Sequence, residues 1–408
     1  MKKPEILAPA GNLEKLRIAI HYGADAVYLG GKSFGLRSQA GNFTIDELAE
    51  AVGYAHDRQV KVYLTVNAYP DNADLPALGA YLKETAGIPF DACIAADPGV
   101  IELIREITPD RAIHLSTQAN TTNWLSALFW QKQGIRRINL AREMSLDAIR
   151  EVRGRVEETE LEIFVHGAMC ISYSGRCLLS GVMAGRHANR GECAHPCRWS
   201  YSLVEETRPG EYFPVMEDGT GTFIFNSKDL CLLEYLPELA GSGIDSLKIE
   251  GRMKGIHYIA SVVRVYREAL DCLFDDPANY HCKPEWLEEL GKISHRGYTT
   301  GFFLAPPQEL DREYHSRYTR SHDIVGIVEG AAADGTTFIE ARNRLETGDE
   351  LEFISRGMVN NRYLLTEMID ENGAPLKVAH PNKRVKFRVP FNTEKFDLIR
   401  RERRDAPV

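Results

Sequence analysis

The sequence contains no run approaching the roughly 18 apolar residues that a membrane-spanning helix requires, which argues against a helical membrane protein. Its first residues, MKKPEILAPAGNLEKL, hold only ILAPA between charges, too short for the apolar core of a signal peptide. The expected location is therefore a reducing cytoplasm, with no membrane partner. No H-E-x-x-H pattern occurs, so the usual zinc-protease motif is excluded, and G-x-S-x-G occurs once, as GKSFG at residues 31–35. Cationic excess is lacking too: the net charge is −9 and the pI is near 5.8, against a general nucleic-acid binder. The 33 Gly and 19 Pro are spread rather than clustered, so disorder is not indicated.

What is present begins with length. At 408 residues the chain exceeds the usual single-domain range, which predicts one large α/β domain and a smaller one. Charge is unevenly spread: residues 376–408 hold ten Lys or Arg against four Asp or Glu. Four of the eight cysteines, Cys170, Cys177, Cys193 and Cys197, fall within 28 positions.

A unit recurs along the first 250 residues: a helix ending near Gly, a short polar step, then a β-rich run, as in HYGADAVYLGG, IPFDACIAAD, QGIRRINLAR and GSGIDSLKIEG. Counting Ile6–Ala8 as the first strand gives eight βα units by Arg252, which predicts a (β/α)8 TIM-like barrel. Parallel strands usually read as continuous apolar runs, yet several here alternate. His114, Ser116 and Gln118 share one face; Glu162, Phe164 and His166 another; Lys248 and Glu250 a third; Thr65 and Asn67 a fourth. If the apolar faces turn outward, the interior carries titratable groups that need mutual partners or a ligand. Asn67, Gln118, His166 and Glu250 end their strands, where barrel active sites lie, and are candidate site residues.

The predicted organisation is a catalytic barrel over 1–280 with a cysteine-rich insertion at 167–222 after the seventh strand, a helical connector over 281–316, and a small antiparallel β-barrel over 317–408 with a basic tail. In a reducing compartment, clustered thiols more often bind metal than form disulfides. The spacing supplies only one close pair, CAHPC, and leaves zinc and an iron–sulfur cluster both open, with Cys231 as a substitute fourth ligand.

The segments EIFVHGAMCISYSGRCLLS, LSTQAN, NRGECAHPCRW, FNSKDLCLLEYLPEL, SLKIEGRMK and SHRGYTTGFF resemble the peptidase U32 family, and within it most closely the tRNA uridine hydroxylation branch. The resemblance implies a 4Fe–4S cluster on Cys170, Cys177, Cys193 and Cys197, and hydroxylation of the tRNA wobble uridine at C5 with prephenate, a dicarboxylate co-substrate, supplying oxygen. It also carries the family's peptidase label and, among relatives, hydroxylation of another RNA or of a quinone precursor. On that reading the chemistry assigns His166 and Glu250 to proton transfer, with Lys248, Gln118 and Asn67 beside them. Arg142, Arg176, Lys248 and Arg252 are the carboxylate-binding candidates, and Tyr173 the base-stacking one. Arg400, Arg401, Arg403 and Arg404 are expected to meet tRNA phosphates.

Overall fold

A computed structural model describes residues 2–35, 41–170, 172–196, 202–204, 212–214, 228–304 and 319–403, with backbone alone at 202–204 and 212–214. The chain divides into two compact units: Met1–Leu16, Asp25–Met253 and Arg296–Arg317 form one, and Arg17–Ala24, Lys254–His295 and Tyr318–Val408 the other. The expected boundaries differ: residues 254–280 were assigned to the barrel domain but group with the C-terminal sheet.

The first unit is a closed parallel barrel. Strands β1 (Glu5–Pro9), β2 (Ala26–Leu29), β3 (Lys61–Thr65), β4 (Ala92–Ala95), β5 (Ala112–Leu115), β6 (Arg137–Asn139) and β7 (Glu160–Ala168) pair in sequence order. A closing strand, Ser246–Ile249, pairs in parallel with both β7 and β1, which removes the sheet's edges. The alternation read from sequence holds, because one face of each strand turns inward. Leu7, Ala26, Tyr28, Tyr63, Ala92 and Ile94 pack inside, while Ile6, Val27, Leu29, Val62, Leu64, Leu247 and Ile249 occupy the opposite, equally buried face.

Local signals start the helices. Thr44 and Glu47 form a reciprocal capping box for Ile45–His56, and the Asp97, Asn123 and Ser145 side chains cap Pro98–Ile107, Trp124–Lys132 and Leu146–Arg153. The polar step of the recurring unit has its own task. Asp25, Asp91 and Asp245 each precede a strand and accept the amide of the second residue of its neighbour, Ile6 (2.8 Å), Val62 (2.7 Å) and Leu161 (3.0 Å). These carboxylates satisfy strand-end N–H groups that the parallel ladder leaves open.

Strand β7 is long enough to do two things. Its first half lies in the barrel, and its end pairs antiparallel with Asp229–Cys231, placing Cys231 opposite His166. Tyr298–Thr299 adds to the far side of that strand, and a buried ion pair between Arg296 and Asp229 (2.7 Å) ties the two segments.

The second unit is an eight-stranded antiparallel sheet in the order Asn360–Leu364, Glu350–Ile354, Leu398–Glu402, His322–Ala331, Thr336–Ala341, Arg384–Arg388, Met368–Asp370 and Pro375–Leu376. No pairing joins its two outermost strands among the described residues, so it is a half-barrel around Val325, Val328, Ile339, Leu351, Phe353, Phe387 and Ile399. Helices Ile256–Asp275 and Pro284–Gly291 belong to this unit.

Candidate active site

The barrel floor is ionic. Arg137 on β6 bridges Glu5 (2.6 Å), Glu160 (2.7 Å) and Glu162 (3.3 Å), and Lys248 reaches Glu162 at 2.7 Å. Tyr63 donates its hydroxyl to Glu5 (2.8 Å). Burial pushes the Glu5 carboxyl up, but the Arg137 charge and hydrogen bond outweigh it and hold the group below its ordinary value. Burial together with Glu5 drives the Tyr63 hydroxyl far up, so it remains a donor. His114, edge-on to Tyr63 at 4.6 Å, is held neutral by burial and by the surrounding Arg137 and Lys248 charges.

Lys248, expected among the groups acting on substrate, is instead committed to this network. Its ammonium is bound by Glu162 and lies 4.8 Å from the Tyr28 ring centre and 5.5 Å from that of Phe164.

Above the floor the interior changes character. His166 is fully buried at the end of β7, and its carbonyl accepts the Glu250 amide (2.9 Å), so these two candidates are adjacent through the backbone. Tyr28 donates to a Glu250 oxygen (3.3 Å) and to the Ile249 carbonyl (2.9 Å), orienting the carboxylate. Asn67 is half-buried beyond the end of β3. Arg142, half-buried after β6, lies 4.0 Å from the centre of the Phe164 ring and has no hydrogen-bonded or ionic partner among the described residues. His114 Nδ1, Gln118 Oε1 and Asn139 Oδ1 are likewise buried without a hydrogen-bond partner there. Unmatched polar atoms in this number are costly unless a ligand or water meets them.

Arg252 is buried, donating to Thr65 (3.1 Å) and to Asn42. Gly30 makes room for it: a Cβ there would sit 2.7 Å from the guanidinium and 2.6 Å from the Thr65 hydroxyl.

The cysteine-rich insertion is latched onto three barrel loops. Glu143, after β6, accepts both the amide (2.6 Å) and the hydroxyl (2.8 Å) of Ser174, whose backbone is left-handed at φ 47°. Arg176 donates to the Gln118 carbonyl (2.8 Å) and the Tyr69 hydroxyl (2.9 Å), so its fork is occupied; the expectation that it binds a substrate carboxylate is corrected to a fastening role. Arg190 pairs with Asp71 and with Asp74 (2.8 Å), and the Asn189 side chain accepts the Cys177 amide (3.0 Å). Tyr173 is exposed.

Cys170, Cys177, Cys193 and Cys231 are half-buried free thiols, whereas Cys197 lies outside the described residues. Cys193 Sγ is 3.8 Å from His195 Nδ1. Among the described residues, which leave out Cys197, no three His, Cys, Asp or Glu side chains converge as metal ligands.

The basic C-terminal segment is not a tail. Residues 398–402 form an interior strand of the second unit's sheet, between Glu350–Ile354 and His322–Ala331. Arg400 is therefore 0% exposed, bonded to both oxygens of Glu289 (2.6 Å each) and to Glu352 (2.6 Å), and cannot meet a phosphate. Arg401 pairs with Asp349, Arg403 lies 3.7 Å from Asp323, and Arg404 falls outside the described residues.

Sequence reasoning did not single out Tyr28, Tyr69, Arg137 or Glu143. Of these, only Arg137 carried a signal, as a charged inward position two residues before Asn139 on a short strand.

A charged barrel whose mouth is roofed by a latched, cysteine-rich insertion defines the class. The chain belongs to peptidase family U32: the family model matches residues 11–313, and that of the family's C-terminal domain matches 320–400. It is 43% identical to tRNA hydroxylation protein P1 of Bacillus subtilis over 98% of this chain and 95% of that protein. It is 38% identical to tRNA hydroxylation protein P of Escherichia coli, over 93% of this chain and 92% of the other. A collagenase of Porphyromonas gingivalis is 31% identical over 79% of each chain. No helix among the described residues is long and apolar enough to cross a membrane.

Proposed function

We propose that this protein hydroxylates tRNA, forming 5-hydroxyuridine at the wobble position, with a dicarboxylate such as prephenate as the oxygen donor. The observation that carries the reading is the barrel mouth: a half-buried guanidinium, Arg142, with no counter-ion among the described residues, and buried polar atoms with no partner among them, in a chain with relatives named for tRNA hydroxylation. Replacing C5–H by C5–OH is a two-electron oxidation of the base. It needs an oxygen donor held against C5, a group to accept the C5 proton and an acceptor for the two electrons, a role that an iron–sulfur cluster would fill.

Arg142 suits a donor carboxylate, because a guanidinium fork matches it and the Phe164 ring already fixes the plane. Glu250, oriented by Tyr28, and the adjacent His166 are the proton-handling pair. Gln118 is buried, and its amide oxygen has no hydrogen-bond partner among the described residues. The cofactor in this reading is a 4Fe–4S cluster, with zinc as the alternative, on Cys170, Cys177 and Cys193 plus Cys197 or Cys231; Cys231 stands opposite His166 in the sheet, which favours it as the substitute.

Nucleoside mass spectrometry of tRNA from a deletion strain, with and without the gene restored, tests the activity. Loss and recovery of 5-hydroxyuridine is expected. An unchanged level overturns the reading, and cleavage of denatured collagen by metal-free protein would return it to a peptidase. Anaerobic preparation with iron, sulfide and zinc analysis decides the cofactor.

A further inference from the structure

The latched insertion is inverted relative to an ordinary surface segment. Among its described residues, Ser174, Arg176 and Arg190 spend their side chains on the barrel loops, and the Asn189 carbonyl accepts the Tyr69 amide (3.0 Å). Its short helix, Leu179–Ala184, buries a serine and exposes aliphatics. Ser180 is 0% exposed, its hydroxyl accepting the Ala194 amide (2.9 Å), whereas Leu178 is 78% and Val182 83% exposed. Residues four apart share one face of a helix, so Leu178 and Val182 form a single apolar edge, and Tyr173, 54% exposed, precedes it. Large exposed apolar side chains grouped this way mark a contact surface.

Charge decides what the surface meets. From Ser172 to Gly191 the sequence has Arg176, Arg186, His187 and Arg190 and no Asp or Glu, within a chain of net charge −9; Arg176 and Arg190 are tied to the barrel loops, so Arg186 and His187 are the basic side chains that this face offers. Arg186 is half-buried and His187 exposed beside the apolar edge. A second copy of an acidic chain or an apolar protein partner would need no such local reversal of sign. Unpaired nucleotides require both halves of it: flat apolar base faces and a phosphate at each step.

We propose that this face receives the unpaired bases of the tRNA loop, with Tyr173, Leu178 and Val182 against base faces and Arg186 and His187 beside the adjoining phosphates. The proposal rests on the tRNA reading above and adds the surface that presents the target nucleotide to the barrel mouth.

The test is a fluorescence-anisotropy titration of the full chain with an unmodified tRNA transcript at two salt concentrations, comparing wild type with Leu178→Asp, Val182→Asp and Arg186→Glu. Each aspartate is expected to weaken binding by about tenfold or more. Arg186→Glu should weaken it and flatten its salt dependence. Thermal unfolding should not shift in the two aspartate variants, because Leu178 and Val182 are 78% and 83% exposed; where an aspartate variant fails to fold, Val182→Ser should show a smaller loss in the same direction. Unchanged affinity in all variants, while wild type binds and modifies tRNA, overturns the surface alone. A mass that halves by light scattering with tRNA affinity intact assigns the face to a second copy and overturns it as well. A wild-type protein that binds no tRNA overturns both the surface and the tRNA reading.

Discussion

The barrel and the C-terminal unit each bury a four-charge network, and the two end differently. In the C-terminal unit, Glu289 is gripped at both oxygens by Arg400 and at one by Arg264 (2.9 Å) and Ser261 (2.7 Å), while Arg400 also binds Glu352 and Arg264 binds the Ser355 carbonyl (3.0 Å). Every charge there is consumed by the fold. In the barrel, Glu5, Arg137, Glu162 and Lys248 are matched just as fully, but His114, level with Arg137, and Asn139, Gln118 and Arg142, further toward the strand ends, have groups left unmatched among the described residues. Buried ion pairs of the first kind hold a shape. A matched floor beneath an unmatched layer is how a rigid scaffold presents a binding site.

That contrast can be broken from either side. The largest effect is expected from Glu289→Ala, which strands two buried guanidinium groups and should cost about 3–5 kcal/mol in denaturant unfolding. Glu162→Gln should cost less, about 3 kcal/mol at most, because Arg137 keeps Glu5 and Glu160; a loss equal to that of Glu289→Ala would mean that the barrel floor has no such reserve.

Acid should act on the C-terminal unit. Burial, reinforced by the Arg400 charge, depresses His257 from 6.5 to about 3. Burial raises Glu289, but hydrogen bonds from Arg400 and the charges of Arg264 and Arg400 outweigh it and hold the group well below its ordinary value of 4.5. Both groups bind protons more readily unfolded than folded. His257 therefore contributes stability that is present above pH 6.5 and is lost as pH falls toward 3, at up to roughly 1.4 kcal/mol per pH unit. Glu289 adds its loss below 4.5. In a His257→Asn protein the pH dependence of the melting temperature between 6.5 and 4.5 should become shallower, with the buried His114 and the half-buried His322, both also depressed, supplying what remains; a slope unchanged there would assign the acid sensitivity elsewhere.

The smallest stability change is expected at the unmatched layer. Arg142→Ala forfeits a cation–π contact of less than about 1 kcal/mol, yet 5-hydroxyuridine formation should fall at least about tenfold. Equal losses of stability and product would place Arg142 in the scaffold.

The legible parts of this protein were those written in short-range pattern. Polar–apolar alternation in IHLSTQ and LEIFVH correctly put His114 and Glu162 inside, because side-chain direction in a regular strand is set by parity; at His166 the register with the closing strand shifts, it pairs with Ile249, and its ring stands 5.3 Å from that of Tyr298. The long excursion after the seventh strand followed from loop length. Partner identity was not legible. Arg176 looked like a free cation because Tyr69, its acceptor, is 107 residues away; Tyr28 and Glu250 are 222 apart, and Ser174 and Glu143 are 31 apart. Composition misled at Arg400, where a basic stretch concealed an interior strand whose carboxylate partners lie 111 and 48 residues earlier.

By itself, the sequence determined the number of βα repeats, the inward placement of polar groups and the position of the thiol-rich insertion, since each depends on periodicity and spacing between neighbours. Tertiary structure alone decided which charges are spent and which remain available. Coulombic pairing is a matter of distance in space, and closing the barrel brings β1, β6, β7 and the last strand within one ion network however far apart they lie along the chain.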